Sequence, residues 1–472
     1  MNTEITDLHS FLEAYRDEHI HVRKPVQLDH IGALVAQAGD TIVFENIVGY
    51  PKFRLVDLMF ANRKAQARVL GCRPGDVVKR LAQVVREGPK PLKVVDGGPC
   101  QELVFTGEDV DLTQLPVPRH TETDIWPYTT SFAIQRDPET GGYNQMFPRS
   151  GVMSRNEMVT SFVTRHANQI LAKHRAAQTR MPQAIVIGTH PAWELAGCYS
   201  YLHEGWWEME LFESISGRVG EVTRCKTVDL VVPADASIVI EGWVHPTRTA
   251  QDGPNPGPTM LFTPYAQQQP VFEVTAITMR KDPIYRHHQT TPFTDHQEMP
   301  RLFHEAILYD RLRSTGVKVH DVYFSQGGAA LCVIIQMEPA SDGEVTDALL
   351  AVLGSPWPNT KMAIAVDPDI NIYDYRDVLY ALSTRVDPSR DVMIINNTRG
   401  LSFDPSAKPV AGAFPHTEQT RTPAVVGRWG IDATKPVPYR AAERKPYERA
   451  WPIGWDEVRL EDFLTPHDGH QG

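Results

Sequence analysis

The chain has 472 residues, a length that suits two large domains or about three smaller ones. Hydrophobic residues make up 42% and charged residues 22%, ordinary values for a folded globular protein. Lys and Arg total 47 against 58 Asp and Glu; the net charge of −11 argues against a general nucleic-acid binder or a polybasic membrane-surface protein and leaves room for a basic pocket.

The opening stretch, MNTEITDLHSFLEAYRDEH, is acidic and lacks the apolar centre of a signal peptide. No window approaches about 18 uninterrupted apolar residues, so a cytoplasmic protein without a membrane span is expected. In residues 7–16, Leu8, Phe11, Leu12 and Tyr15 fall at helical spacing. Thr41 to Phe44 reads as a strand and Asp76 to Arg86 as a helix, giving a small α/β unit over residues 1–115. The next region, 116–315, is rich in strand signals at Tyr128 to Ile134, Ala184 to Gly188, Val228 to Val232, Ser237 to Glu241 and Val271 to Met279. Many β runs with few helices suggest an antiparallel barrel or sandwich.

Region 316–440 alternates strand and helix. Leu331 to Met337, Met362 to Val366 and Val392 to Ile395 read as strands; Glu344 to Leu353 and Tyr375 to Thr384 read as helices. Residues 441–472 read as an extended tail with one helical stretch near Trp455 to Phe463. The 32 glycines and 37 prolines fit many turns and short elements. Five cysteines, at 72, 100, 198, 225 and 332, are far apart and form no CxxC pair, so reduced thiols are expected rather than a disulfide framework or a structural zinc site.

Five stretches carry residues with chemical potential. DPETGG, at 137–142, is a hairpin turn, and Asn144 and Arg149 are expected on the outgoing strand; Pro148 makes that strand an edge or a bulge. A surface arginine after a turn is the plain alternative. Thr164-Arg165-His166 opens a helical run over 167–177, where unpaired N–H groups favour anions. His166 there suits a metal or a phosphate, although a solvent-facing histidine is the plainer reading. In His203-Glu204-Gly-Trp-Trp-Glu208, carboxylates beside two tryptophans suit metal ligation or acid–base work, or simply a charged loop. The Pro/Gly loop 251–258 holds one carboxylate, Asp252. Asp367 and Asp369 read as Asx turns and Asp374 as a helix cap, rather than as metal ligands. No GxxxxGK[ST], GxGxxG, GxSxG or HExxH occurs, which removes the usual routes to a P-loop enzyme, a Rossmann dehydrogenase, an α/β hydrolase and a zincin.

Together these stretches resemble the UbiD family of reversible decarboxylases, which use prenylated FMN. The likeness covers residues 5–440. It is carried by FENIVGY at 44–50, RDPETG at 136–141, CKTVDLVVPADASIVIEG at 225–242, DINIYDYRDVLYALSTRVDP at 369–388 and GIDATKP at 430–436. The resemblance implies a multidomain α+β and α/β fold. It would have an N-terminal α/β domain at 1–115, a central FMN-binding split β-barrel at 116–315, a C-terminal α/β oligomerisation domain at 316–440 and a tail at 441–472. It implies prenylated FMN as cofactor, a divalent metal, manganese above others, and potassium as a further candidate ion.

The family's site residues fall on matching positions. Asn144, His166 and Glu208, three residues after Gly205, correspond to the metal ligands. Arg149 corresponds to the residue that holds the substrate carboxylate. Arg165 sits at a flavin-contacting position, and Arg428 replaces the lysine that binds the flavin phosphate, keeping the charge. In the family's EGPFGE loop, Asp252 stands for the first Glu, and Gly253-Pro254 match. The second Glu, the family's proton donor, falls on Gly257. Asp252 is expected to pair with Arg149, which would lower its pKa and make it a poor acid. The proton would then come from His287, His288 or His296, from water, or from a substrate hydroxyl. The implied substrate is an aromatic, heteroaromatic or α,β-unsaturated acid. The implied partners are a flavin prenyltransferase as cofactor supplier and further copies of the chain, in a homodimer or homohexamer. Two rival readings remain: a UbiD-like cofactor-binding protein without decarboxylase activity, and another split-barrel flavin oxidoreductase.

Overall fold

A computed structural model describes residues 4–162, 164–200, 206–254, 267–329, 331–355, 360–400, 404–409, 424–455 and 457–463. The first helix, Leu8–Ala14, starts where its cap dictates. The Asp7 carboxylate accepts from Ser10 N–H at 2.8 Å, and the Ser10 hydroxyl accepts from Asp7 N–H at 3.0 Å, so two orphan donors are satisfied reciprocally. The apolar positions read from spacing, Leu8, Phe11 and Leu12, are its buried face. A four-stranded sheet follows in the order Ile20–Val22, Ile42–Phe44, Arg54–Asp57, Ile284–Arg286. Its last strand arrives from far downstream, which ties the N-terminal part of the chain to the centre.

The centre is a nine-stranded sheet, antiparallel throughout. Its path runs Tyr128–Thr129, Ser150–Val152, Glu157–Thr160, Gln267–Met279, Ile238–Asp252, Met181–Ile187, Phe132–Arg136 and Tyr143–Met146; Leu103–Thr106 also pairs with Gln267–Met279. The long ribbon of Ile238–Asp252 and Gln267–Met279 is the spine, and its register shifts at Glu241/Gly242 and Val244/Thr249. Gly242 is required at the first shift, because a Cβ there would lie 2.0 Å from the Glu273 carbonyl oxygen.

The third sheet runs Val319–Phe324, Cys332–Met337, Met362–Val366, Ala424–Ala433, Val392–Gly400, with Lys408–Pro409 paired to Ala424–Ala433. Its middle strands are parallel and buried, as their continuous apolar runs require. Helix Leu302–Ser314 packs both on Val77–Glu87 and on Val319–Phe324, joining this sheet to the rest. The whole is a mixed α and β fold built on several sheets.

Several readings of the sequence change. Tyr128 to Ile134 is two strands, paired to different neighbours. Only the end of Val228 to Val232 joins a strand, Val231–Pro233, because Leu230 N–H closes a tight turn onto the Val228 carbonyl. The late helical stretch reduces to one short 3₁₀ turn, Leu460–Phe463. Asp374 does cap Tyr375–Arg385, and Asp367 and Asp369 do lie in a turn, closed by Ile370 N–H on the Asp367 carbonyl, but their side chains pair with Arg385 instead of forming Asx turns. All five cysteines are free thiols. Among the described residues no helix is long and apolar enough to cross a membrane.

Candidate active site

The site grows from the hairpin after Phe132–Arg136. Asp137 accepts from Glu139 N–H at 2.9 Å and closes the turn, and Tyr143–Met146 returns as the edge strand of the central sheet. Pro148 ends that strand, so Arg149 lies between Tyr143–Met146 and Ser150–Val152 rather than on the strand itself. The break turns Arg149 inward, where it is only 8% exposed.

Arg149 is held from three directions. Its Nη2 donates to Asp124 Oδ1 at 2.7 Å, its Nη1 donates to Thr290 Oγ1 at 3.1 Å, and its guanidinium lies 3.8 Å from the centre of the Tyr128 ring. The Nε–H is buried and has no partner among the described residues. His120 braces Thr290: its Nδ1 accepts from Thr290 N–H at 3.1 Å, and its Nε2 donates to the Tyr128 carbonyl at 2.9 Å. Burial first, then His287 and Arg149, push the His120 pKa well below its ordinary value, so it stays neutral.

Asp252 ends the long strand Ile238–Asp252 beside this group. Its Oδ1 accepts from the Tyr128 hydroxyl at 2.8 Å. Burial raises its pKa, against the pull of Arg149 and of the Tyr128 hydroxyl. The expected lowering by a direct pair with Arg149 is therefore corrected: Arg149 is paired with Asp124, and the net shift at Asp252 is upward. Gly257 lies outside the described residues, as do His203, Glu204 and Gly205.

Asn144 sits on the edge strand, 5% exposed. Its Nδ2 donates to Gln135 Oε1 at 2.9 Å, which leaves its carbonyl oxygen for a cation. Its neighbour Gln145 donates its backbone N–H to Glu208 Oε2 at 3.2 Å, so Glu208 is held against the backbone next to Asn144. Glu208 is 3% exposed, and burial pushes its pKa up to about 8, the mark of a carboxyl lacking a counter-charge. His166 is exposed on the first turn of Arg165–Ala176, a helix packed on Phe132–Arg136 and Tyr143–Met146. Arg165 opens that helix, and its side chain lies outside what the structure describes. Arg428 is in the third sheet, donating to the carbonyls of Leu353 and Arg399. Burial and then Arg399 lower its pKa, a strain that a bound anion relieves. No group of three or more His, Cys, Asp and Glu side chains placed to hold a metal occurs among the described residues.

Beneath the site lies a buried charge cluster that sequence reading missed. Arg286 is fully buried and pairs with Asp57, Glu194 and Asp295. Asp57 also meets His287 Nδ1 at 2.8 Å, and Glu194 meets His288 Nε2 at 3.2 Å. Asp124, Tyr128, His120 and Thr290 escaped notice as well. Asp124 and Thr290 stand 25 and 141 residues from Arg149, so no local spacing ties them to it.

Residues 93–292 match the family model of the 3-octaprenyl-4-hydroxybenzoate carboxy-lyase Rift-related domain, and residues 298–433 that of the C-terminal domain of the same carboxy-lyase. Among solved structures, the UbiD-class enzyme HmfF from Pelotomaculum thermopropionicum, in complex with FMN, is 30% identical. The match covers 97% of this chain and 100% of that one, with a TM-score of 0.86. The vanillic acid decarboxylase of Sedimentibacter hydroxybenzoicus in its open form is 26% identical over 96% of this chain and 97% of that one, with a TM-score of 0.81. The apo 3,4-dihydroxybenzoic acid decarboxylase from Enterobacter cloacae shares the fold, at 24% identity over 97% and 99% of the two chains and a TM-score of 0.85.

Proposed function

Because the chain belongs to the UbiD family, we propose that it is a carboxy-lyase that removes carbon dioxide, reversibly and without net oxidation, from an aromatic, heteroaromatic or α,β-unsaturated acid, using prenylated FMN. The observation that carries this reading is Arg149: a buried guanidinium, fixed by Asp124 and by the Tyr128 ring, with an unpartnered Nε–H to offer an incoming carboxylate. The comparisons favour neither a reductase nor an inactive cofactor carrier.

The residues present fit the cofactor. Glu208 is a buried carboxyl in want of a cation, and Asn144 beside it has its carbonyl oxygen to give. We assign Asn144, Glu208 and His166 to a divalent ion, manganese by preference, since two oxygens and an imidazole suit such an ion. Arg165 and Arg428 are assigned to the flavin and its phosphate, with Arg428 drawn to an anion by its crowding with Arg399. When bound, the prenylated flavin accepts the electron pair released at the carbon that carried the carboxylate. The protein's part is to orient the carboxylate on Arg149 and to hold water and protons in place around it. We read the ribbon of Ile238–Asp252 and Gln267–Met279 as the spine of a flavin-binding split barrel over 116–315, between an N-terminal domain at 1–115 and an oligomerisation domain at 316–440. Assembly as a homodimer or homohexamer belongs to the same proposal; an evolved dimeric form is described for HmfF.

The test is carbon dioxide release by protein co-produced with a flavin prenyltransferase, over a panel of such acids. At least one acid should be decarboxylated, and Arg149→Ala should lower kcat/KM for it about a hundredfold or more. Cofactor-loaded protein that releases no carbon dioxide from any of them contradicts the reading.

A further inference from the structure

We propose that Asp252, seated by the Tyr128 hydroxyl, is the acid that protonates the carbon vacated by carbon dioxide, and that Asp124 is the fixed counter-ion of Arg149. The inference rests on the decarboxylase reading above. Two carboxyl groups flank Arg149 in different surroundings, and that difference assigns their roles.

Asp124 has a side chain with no exposure. It accepts Arg149 Nη2 at 2.7 Å, His120 N–H at 2.8 Å and Thr121 N–H at 3.0 Å. A guanidinium and two backbone donors occupy this carboxyl and fix it against Arg149. Asp252 is buried too, but a neutral hydroxyl stands where Asp124 has a guanidinium. Burial raises its pKa; Arg149 and the Tyr128 hydroxyl oppose this, and Asp124 reinforces it. Tyr128 spans the pair, its ring against the Arg149 guanidinium and its hydroxyl on Asp252. Asp252 is thus placed about one ring's length from the cation that receives the carboxylate. Burial, and then Asp252, push the phenol of Tyr128 upward, so it remains neutral.

The other sources of a proton are poorer. Residues 255–266, NPGPTMLFTPYA, contain no carboxyl and no imidazole. His287 and His288 are engaged by Asp57 and Glu194. Burial holds His296 down to about 4, so it carries no proton at neutral pH. In the step itself, the bond from carbon to the carboxylate breaks, carbon dioxide leaves, and the electron pair, which the bound cofactor would hold, returns to that carbon. That pair takes the Asp252 proton to form a C–H bond. The Asp252 carboxylate then regains a proton from water, so one proton is consumed for each carbon dioxide and no oxidant or reductant is needed.

The test uses the loaded enzyme on whichever acid releases most carbon dioxide. Asp252→Asn should lower kcat about 10²- to 10⁴-fold with KM little changed, and Asp252→Glu should restore part of the loss. Tyr128→Phe keeps the ring under Arg149 but removes a donor that favours the ionised carboxyl. The alkaline limb of kcat should therefore move to higher pH, which a merely structural role for Tyr128 would not do. Infrared difference spectra of the unloaded protein at neutral pH should show a protonated carboxyl band that Asp252→Asn lacks. Turnover within about threefold of wild type in Asp252→Asn, an unmoved alkaline limb in Tyr128→Phe, or absence of the infrared band would each overturn the proposal. A loaded wild type silent on every acid overturns the decarboxylase reading instead, and the infrared band then still decides whether Asp252 holds a proton.

Discussion

Arg149 and its two carboxyl neighbours show how environment, not residue type, divides labour. Asp124 and Asp252 are both buried, yet one faces a guanidinium and backbone donors while the other faces a phenol. Burial acts on histidines in the opposite sense. His304, on helix Leu302–Ser314, is 1% exposed, and burial alone holds its pKa down to about 3. The unfolded chain takes up its proton below about 6.5, whereas the folded chain does not until about 3. The unfolded state therefore binds more protons across that window, and stability is lost as pH falls through it. Between pH 7.5 and 5, wild type should lose about 2 kcal/mol more than His304→Gln. Urea unfolding at the two values measures this; equal losses would show that His304 is protonated in the fold.

At the scale of elements, the sequence was legible where periodicity was strong. Glu344–Leu353 and Met362–Val366 came out with the bounds read from their patterns, since a buried helix and a buried parallel strand leave little ambiguity. Ile238–Asp252 was read only over its first few residues. Its second half, HPTRTAQD, has no alternation, and it is a strand because Gln267–Met279 pairs with it. The same strand carries Asp252 to the site, so half of the site's scaffold was hidden for that reason. Gly188 shows the constraint at the opposite end of a strand. It follows Met181–Ile187 with φ +75°, and a Cβ would meet the Ile284 carbonyl oxygen at 2.4 Å. Both the backbone angle and the space demand glycine. Gly188→Ala should cost about 2 kcal/mol or more and be seen as a clear fall in Tm; an unchanged Tm would mean that the sheets part easily here.

In the whole molecule, the site is made where the chain passes from one sheet to another. After Gln267–Met279 the chain leaves the central sheet and Ile284–Arg286 joins the N-terminal one, where Arg286 gathers Asp57, Glu194 and Asp295 from three separate stretches. A buried cation with three carboxylates is tolerable only when all are in place, since removing one partner of such a pair typically costs about 3–5 kcal/mol. Asn144, Arg149 and Glu208 were named through the family resemblance of the short stretches that hold them, and their roles are proposed above. Asp124 and Thr290 could not be named so, because only the folded chain brings residues so far from Arg149 to its guanidinium, with His120 bracing Thr290.

The most direct test of the central claim is native mass spectrometry of the protein co-produced with a working flavin prenyltransferase. The bound mass should equal prenylated FMN plus one divalent metal ion, with the metal lost in Glu208→Gln. Plain FMN, or no bound mass at all, would contradict the claim.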